Sequence, residues 1–268
     1  MRFIVASLSL CFLSGCARER PPAPDDLDGM SHFLFVNWND DKQMSAGMSV
    51  LGPWLETEGR TEESTSFGFL LTDLTSEETI ETPHPEYDLD LLIGVALTGI
   101  SPFPIEEHGA LITRKDQTWN SPKTYIKYDR TLIEGSVEEF VGPLGRVRTE
   151  NDIDKSGPLG IHIPYFLNKD FKWVETDTGK PAIVARSWVE AEGCSGSDGQ
   201  GKNCVSLSFS IDLWYASEAN ETIRLTSTWN HLQTSVDDLL TEEFLVKTMT
   251  DGLQDVFENT DAVLNDEL

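Results

Sequence analysis

Val205-Ser206-Leu207-Ser208-Phe209-Ser210-Ile211-Asp212-Leu213-Trp214-Tyr215 alternates apolar and polar side chains without interruption. Successive side chains of a strand point to opposite faces. Val205, Leu207, Phe209, Ile211 and Leu213 therefore share one face, and Ser206, Ser208, Ser210, Asp212 and Trp214 share the other. A strand of this kind belongs to an antiparallel sheet with one apolar and one polar face. Working outward, Ala182 to Glu192 reads as a preceding strand, and Ile223 to Leu232 continues the meander after a polar turn at Glu218-Ala219-Asn220. Tyr125 to Ile133 alternates in the same way. Gly142-Pro143-Leu144-Gly145 and Gly157-Pro158-Leu159-Gly160 repeat one tetrapeptide suited to a type I turn, and each precedes an alternating run. Ser235 with Asp238 forms a capping-box pattern, which predicts a long helix beyond it. Val246, Met249, Leu253, Val256, Phe257 and Leu264 make its apolar stripe, expected to lie across the apolar face of the sheet.

The N-terminal portion reads differently. His32 to Trp38 predicts a buried strand, and Asn39-Asp40-Asp41 a cap for a helix carrying Met44, Met48, Leu51 and Leu55. Pro53 predicts a break or kink in that helix. Phe67 to Leu71 suits a short strand, and Leu74 to Ile80 a helical turn capped by Thr75 or Ser76. Leu89, Leu92, Ile93, Ala96, Leu97 and Ile100 fall at helical spacing, which predicts a buried helix over Tyr87 to Ile100. The fold class expected is α+β: an antiparallel sheet meander with a long C-terminal helix packed on it, plus N-terminal helices. A sheet that grips a C-terminal helix is similar in element order to the START-like lipid-binding fold. That resemblance implies a pocket for an apolar small molecule between helix and sheet.

The chain also carries an address. Arg2 and an apolar run from Phe3 to Leu13 precede Leu13-Ser14-Gly15-Cys16. The run is too short to span a bilayer as a helix and has the layout of an export signal. Its end resembles the lipobox of bacterial lipoproteins. The resemblance implies cleavage before Cys16, acylation of that thiol with fatty chains such as palmitate, and membrane attachment through the N-terminal lipid. Each buried methylene of such an anchor contributes about 0.8 kcal/mol. Ala17 after the cysteine implies the outer membrane of the cell envelope. The expected organisation is a signal peptide over 1–15, a disordered tether over 16–31 rich in proline and charge, a mainly helical part over 32–119, and the sheet with its C-terminal helix over 120–268. The last two suit one domain or two.

Acidic residues number 46 against 20 basic ones, for a net charge of −26. No cluster of Lys and Arg is present to neutralise phosphates, which argues against nucleic acid as a partner. Export leaves Cys194 and Cys204 as an even pair flanking a Gly/Ser/Asp-rich loop, so a disulfide is expected. Gly196 to Asn203 approaches a P-loop pattern, but Asn203 stands where a magnesium-ligating hydroxyl belongs. Asp152, Asp154 and Ser156 place oxygens at alternate positions before Gly157, as at the start of a calcium loop; calcium is the one cofactor the pattern suggests. The competing reading is an acidic turn between strands. The five histidines show no metal-ligand spacing, and no nucleophile elbow occurs. A Ser/His/Asp set assembled in space would require a Ser or an acid within hydrogen-bond reach of a His in a cleft. The role expected is a noncatalytic binding or envelope-associated module. A START-like binder of an apolar small molecule is the first alternative, and a cryptic hydrolase the second.

Overall fold

The computed structural model describes residues 22–140, 145–156, 162–195, 203–218, 220–233 and 241–266. Helices α1 (Leu27–Val36) and α2 (Asp41–Thr57) open the fold. Strands β1 (Phe69–Leu71) and β2 (Ile93–Ser101) follow, then helix α3 (Ile105–Ile112). The meander is β3 (Tyr125–Glu134), β4 (Arg146–Ser156), β5 (His162–Glu175), β6 (Pro181–Trp188), β7 (Gly193–Cys194), β8 (Cys204–Ala216) and β9 (Thr222–Gln233). Helix α4 (Glu242–Asp266) closes it. Among the described residues the strands form one antiparallel sheet in the order β1-β2-β9-β8-β6-β5-β4-β3, with β7 paired to β8. The α+β class with a C-terminal helix on the sheet is thus as expected.

The alternation in β8 is realised from Leu207 onward, with register Phe209↔Trp229, Ile211↔Ser227 and Leu213↔Leu225 on one face; a bulge between Val205 and Leu207 breaks it there and sets Val205 opposite Leu232. That face is the core. Phe35 of α1 meets Phe209 and Trp229 edge-on, with ring centroids 5.9 Å apart in each case. Met30, Leu34, Met44, Met48, Leu51 and Leu55 of α1 and α2 seal it. Asp26 caps α1 by accepting from the Gly29 N–H at 2.7 Å, and Asp40 caps α2 through Lys42 and Gln43. Both caps satisfy N–H groups that a helix start leaves open.

Four expectations change here. His32 to Trp38 is not a strand; the segment lies mostly in helix α1, which begins at Leu27, so the last residues of the 16–31 tether are helical. A helix apolar on most sides has the same unbroken hydrophobic run as a buried strand. Tyr87 to Ile100 is not a helix; its second half is strand β2, covered on both faces. Pro53 does not end α2, which continues to Thr57 with Leu51 and Leu55 buried on either side of it. Finally, α4 does not lie on the apolar face. It lies on the polar one, because α1 and α2 already occupy the other.

The α4 contact is specific. A Cβ at Gly99 of β2 would stand 2.5 Å from Cδ2 of Phe257, so the absence of a side chain lets the helix seat there. Arg224 of β9 donates to both carboxylate oxygens of Asp261, at 2.9 and 3.0 Å, and to the Phe257 carbonyl at 3.0 Å. Its guanidinium also lies 4.6 Å from the Phe257 ring centroid. No helix among the described residues is long and apolar enough to cross a membrane.

Candidate functional site

Register carries the polar residues of β8 across the sheet. Ser210 opposes Thr228 on β9 and Ser187 on β6; Asp212 opposes Thr226 and Ala185. Ala185 opposes Phe171 on β5, and Lys169 opposes Ser187. Phe171 opposes Val147 on β4, and further along Asn151 opposes Arg130 on β3. These side chains share the sheet face that α3 and α4 cover, with Ala185, Val147 and Phe171 packed with Ile105 and Ile112 of α3. Helix α4 does not fill the space above them: its inward residues Met249, Leu253 and Val256 are only half-buried. A cavity of about 330 Å³ remains between α4, the segment Thr118–Thr124 and the sheet. That volume falls at the lower end for small-molecule sites.

The lining is divided by chemistry. Leu167, Phe171, Trp214, Leu232, Met249, Leu253 and Val256 supply apolar surface. Trp214, on the polar side of the strand, thus adds an aromatic wall to the cavity. The polar groups are mostly tied to one another. Asp212 accepts from Lys169 at 2.7 Å, Ser210 at 2.8 Å and Thr226 at 2.8 Å. Arg130, buried, donates to Asn151 at 2.8 Å and to the Ile112 carbonyl, and its guanidinium stacks 4.9 Å from the Phe171 ring. Burial pulls its pKa down, and the nearby Tyr128 and Asp212 oppose that shift. Such satisfied networks fix side chains in place before any ligand arrives.

Three groups at the β3–β5 end are different. Tyr125, Lys155 and Tyr165 all line the cavity. Tyr125 and Tyr165 hydrogen-bond to each other, and burial raises both phenols so that they stay protonated. Burial likewise holds the Lys155 ammonium below its ordinary range. Sequence reading singled out none of the three. The signal, a Lys on the inward side of an alternating strand, becomes visible only once register shows what it faces.

His108 on α3 does lie 2.9 Å from the Ser101 hydroxyl. Both are fully buried, and Ser101 donates onward to Asp261 at 2.7 Å. The serine, not the histidine, sits in the middle of this chain, whereas a nucleophilic triad needs the imidazole between hydroxyl and carboxylate. Burial, with Arg224 near by, drives the His108 pKa down to about 3, so the ring is neutral; among the described residues its Nδ1 has no hydrogen-bond partner. The arrangement braces α4 against β2 and α3 and offers no nucleophile to a cleft.

Asp152 and Asp154 lie on strand β4, outside the cavity. Asp152 pairs with Lys127, and Asp154 accepts from His162 at 3.3 Å. Ser156 ends the strand, and Gly157 lies outside the described residues. Among the described residues these oxygens do not gather with other carboxylates or imidazoles into a metal-sized cluster. Cys194 and Cys204 are joined as a disulfide at the β7–β8 pair. Glu192 lies beside them, accepting from Tyr87 at 2.6 Å and Ser206 at 2.9 Å. Cys16, most of the two repeated tetrapeptides (142–144 and 157–160), the near-P-loop residues Gly196 to Lys202 and the Ser235/Asp238 cap fall outside the described residues.

No family model matches the chain. No curated protein matches it either. Solved structures do. One is a protein of Thermus thermophilus, 14% identical, with a TM-score of 0.43 over 65% of this chain and 98% of that one. Another is a STAR-related lipid transfer protein from Xanthomonas axonopodis, 8% identical, with a TM-score of 0.42 over 68% of this chain and 97% of that one.

Proposed function

We propose that this protein binds a small amphipathic molecule in the cavity between α4 and the polar face of the sheet. The observation that carries the reading is the cavity itself: about 330 Å³ of space lined by both aliphatic side chains and fixed polar groups. A site that orients a ligand needs that mixture, with apolar walls for contact and a few placed donors and acceptors for selection. The expectation of an apolar ligand is thereby sharpened to a molecule with one polar end. Catalysis forms no part of the proposal, since the hydroxyl–imidazole pair described above is sealed from the cavity.

Isothermal titration with decanol, a neutral amphiphile, tests this. Gly252 lines the cavity, and a Cβ built there has no heavy atom within 4 Å. Gly252→Phe therefore places a ring in open space with the helix intact. One-to-one binding to the native protein that is lost in Gly252→Phe supports the cavity as the site. Absence of binding, or binding indifferent to the substitution, contradicts it.

We also propose that the binding domain is tethered to the cell envelope through acylated Cys16. The sequence of the leader is the support. Metabolic labelling with palmitate, present in the native chain and lost in Cys16→Ala, is the expected result.

A further inference from the structure

Four cations line the cavity, and three of them have their partners. Lys169 is matched by Asp212, Arg224 by Asp261, and Arg130 by Asn151, Tyr128 and a carbonyl. Asp212 in turn already accepts from three donors, none of them Lys155. Lys155 is the exception. Among the described residues no carboxylate or carbonyl pairs with its ammonium, and the half-buried side chain lines the cavity. A cation that faces a cavity without a partner has its donors free for a ligand.

Its neighbours complete a recognisable chemistry. Lys155 on β4 directly opposes Tyr125 on β3, and Tyr165 on β5 stands one step along the same face, opposite Ile153. An ammonium and two phenols from three adjacent strands thus meet at one end of the cavity; one phenol hydrogen bridges the two tyrosines, and the other is left to donate. The aliphatic residues Leu232, Met249, Leu253 and Val256 line the remainder.

We propose that Lys155, Tyr125 and Tyr165 form an anion subsite, and that the ligand is an amphiphile with a monoanionic head, a carboxylate, and an apolar tail. This rests on the cavity reading above. Lys155 is the cation with its donors open, and charge-assisted hydrogen bonds from the ammonium and a phenol suit the two oxygens of a carboxylate. The tail lies under α4.

Titration of decanoate against decanol at neutral pH is the experiment. Decanoate binds the native protein about tenfold more tightly or better, as a buried hydrogen bond to a charged group implies. Lys155→Met abolishes that preference while decanol binding persists, which shows that the variant is folded and its cavity open. Tyr165→Phe weakens decanoate by a smaller factor and leaves decanol unchanged. Equal affinity for the two probes in the native protein overturns the headgroup assignment and leaves the cavity reading standing. So does a preference for decanoate that survives Lys155→Met. Binding of neither probe overturns both.

Discussion

The two faces of the sheet are built from alternate residues of the same strands, yet they behave as different materials. On one face Phe209, Leu213 and Trp229 are sealed beneath α1 and α2, with aromatic rings in edge contact. On the other, Ser210, Asp212, Thr226 and Thr228 look into a space that α4 bridges without filling. The strands set this division by their two-residue period. The helices then complete it: two short ones packed tightly on the apolar side, and one long one held at Gly99 and Arg224 on the polar side. Stability is concentrated on the first face, and the capacity to accept a ligand on the second.

The sharpest way to break that division is to cut equivalent apolar groups on each side. Trp229 is fully buried and donates to the Thr72 carbonyl at 2.8 Å. Trp229→Ala is expected to cost about 3–5 kcal/mol in urea denaturation. Leu253, half-buried over the cavity, has few atoms beneath it to lose. Leu253→Ala is expected to cost about 1 kcal/mol or less. Equal costs would mean that the two faces are packed alike.

Titration separates the faces next. Lys172, on the face covered by α1 and α2, is buried with its ammonium on the Trp38 carbonyl and 3.1 Å from Asp41. Burial lowers its pKa to about 8 against the ordinary 10.5, with Asp41 opposing the shift. The unfolded chain then holds more protons than the folded one between those values. Stability therefore rises as pH climbs from about 8 to 10.5, by about 3 kcal/mol in all. Lys172→Met removes that rise. His108, on the α4 side, is a base held at about 3 against the ordinary 6.5. Its contribution is present above 6.5 and falls away as pH drops below it, by about 2 kcal/mol between 6.5 and 5. The difference in stability between the native protein and His108→Gln, followed by denaturation across that window, reads it. The smallest effect is at Gly252, where Gly252→Ala enters open space in mid-helix and is expected to add up to about 1 kcal/mol.

Much of the sheet was legible in the sequence because alternation is a local signal. The polar and apolar sides of β8, the meander into β9 and the apolar stripe of α4 follow from residue order alone. What each helix covers does not. The run His32-Phe33-Leu34-Phe35-Val36 is apolar enough for strand or helix, and Asp26, the cap that decides for helix, lies among the prolines and charges of the preceding segment. Strand β2 carries apolar residues on both sides because Ala96 faces the core and Gly99 meets Phe257, and that pattern resembles a buried helix. With α1 read as a strand and nothing in the sequence saying what α2 covers, the apolar face looks vacant, which is why the sequence points α4 to it. The cavity was hidden for a related reason. Tyr125, Lys155 and Tyr165 lie on three strands and become neighbours only through register.

Methionine methyl groups report both faces at once. Met30, Met44 and Met48 lie in the core under α1 and α2, and Met249 lines the cavity. In a protein labelled at these methyls, titration with decanoate followed by NMR is expected to shift the Met249 signal while those of Met30, Met44 and Met48 hold still. Shifts in the core signals with Met249 unmoved would contradict the assignment of packing to one face and binding to the other.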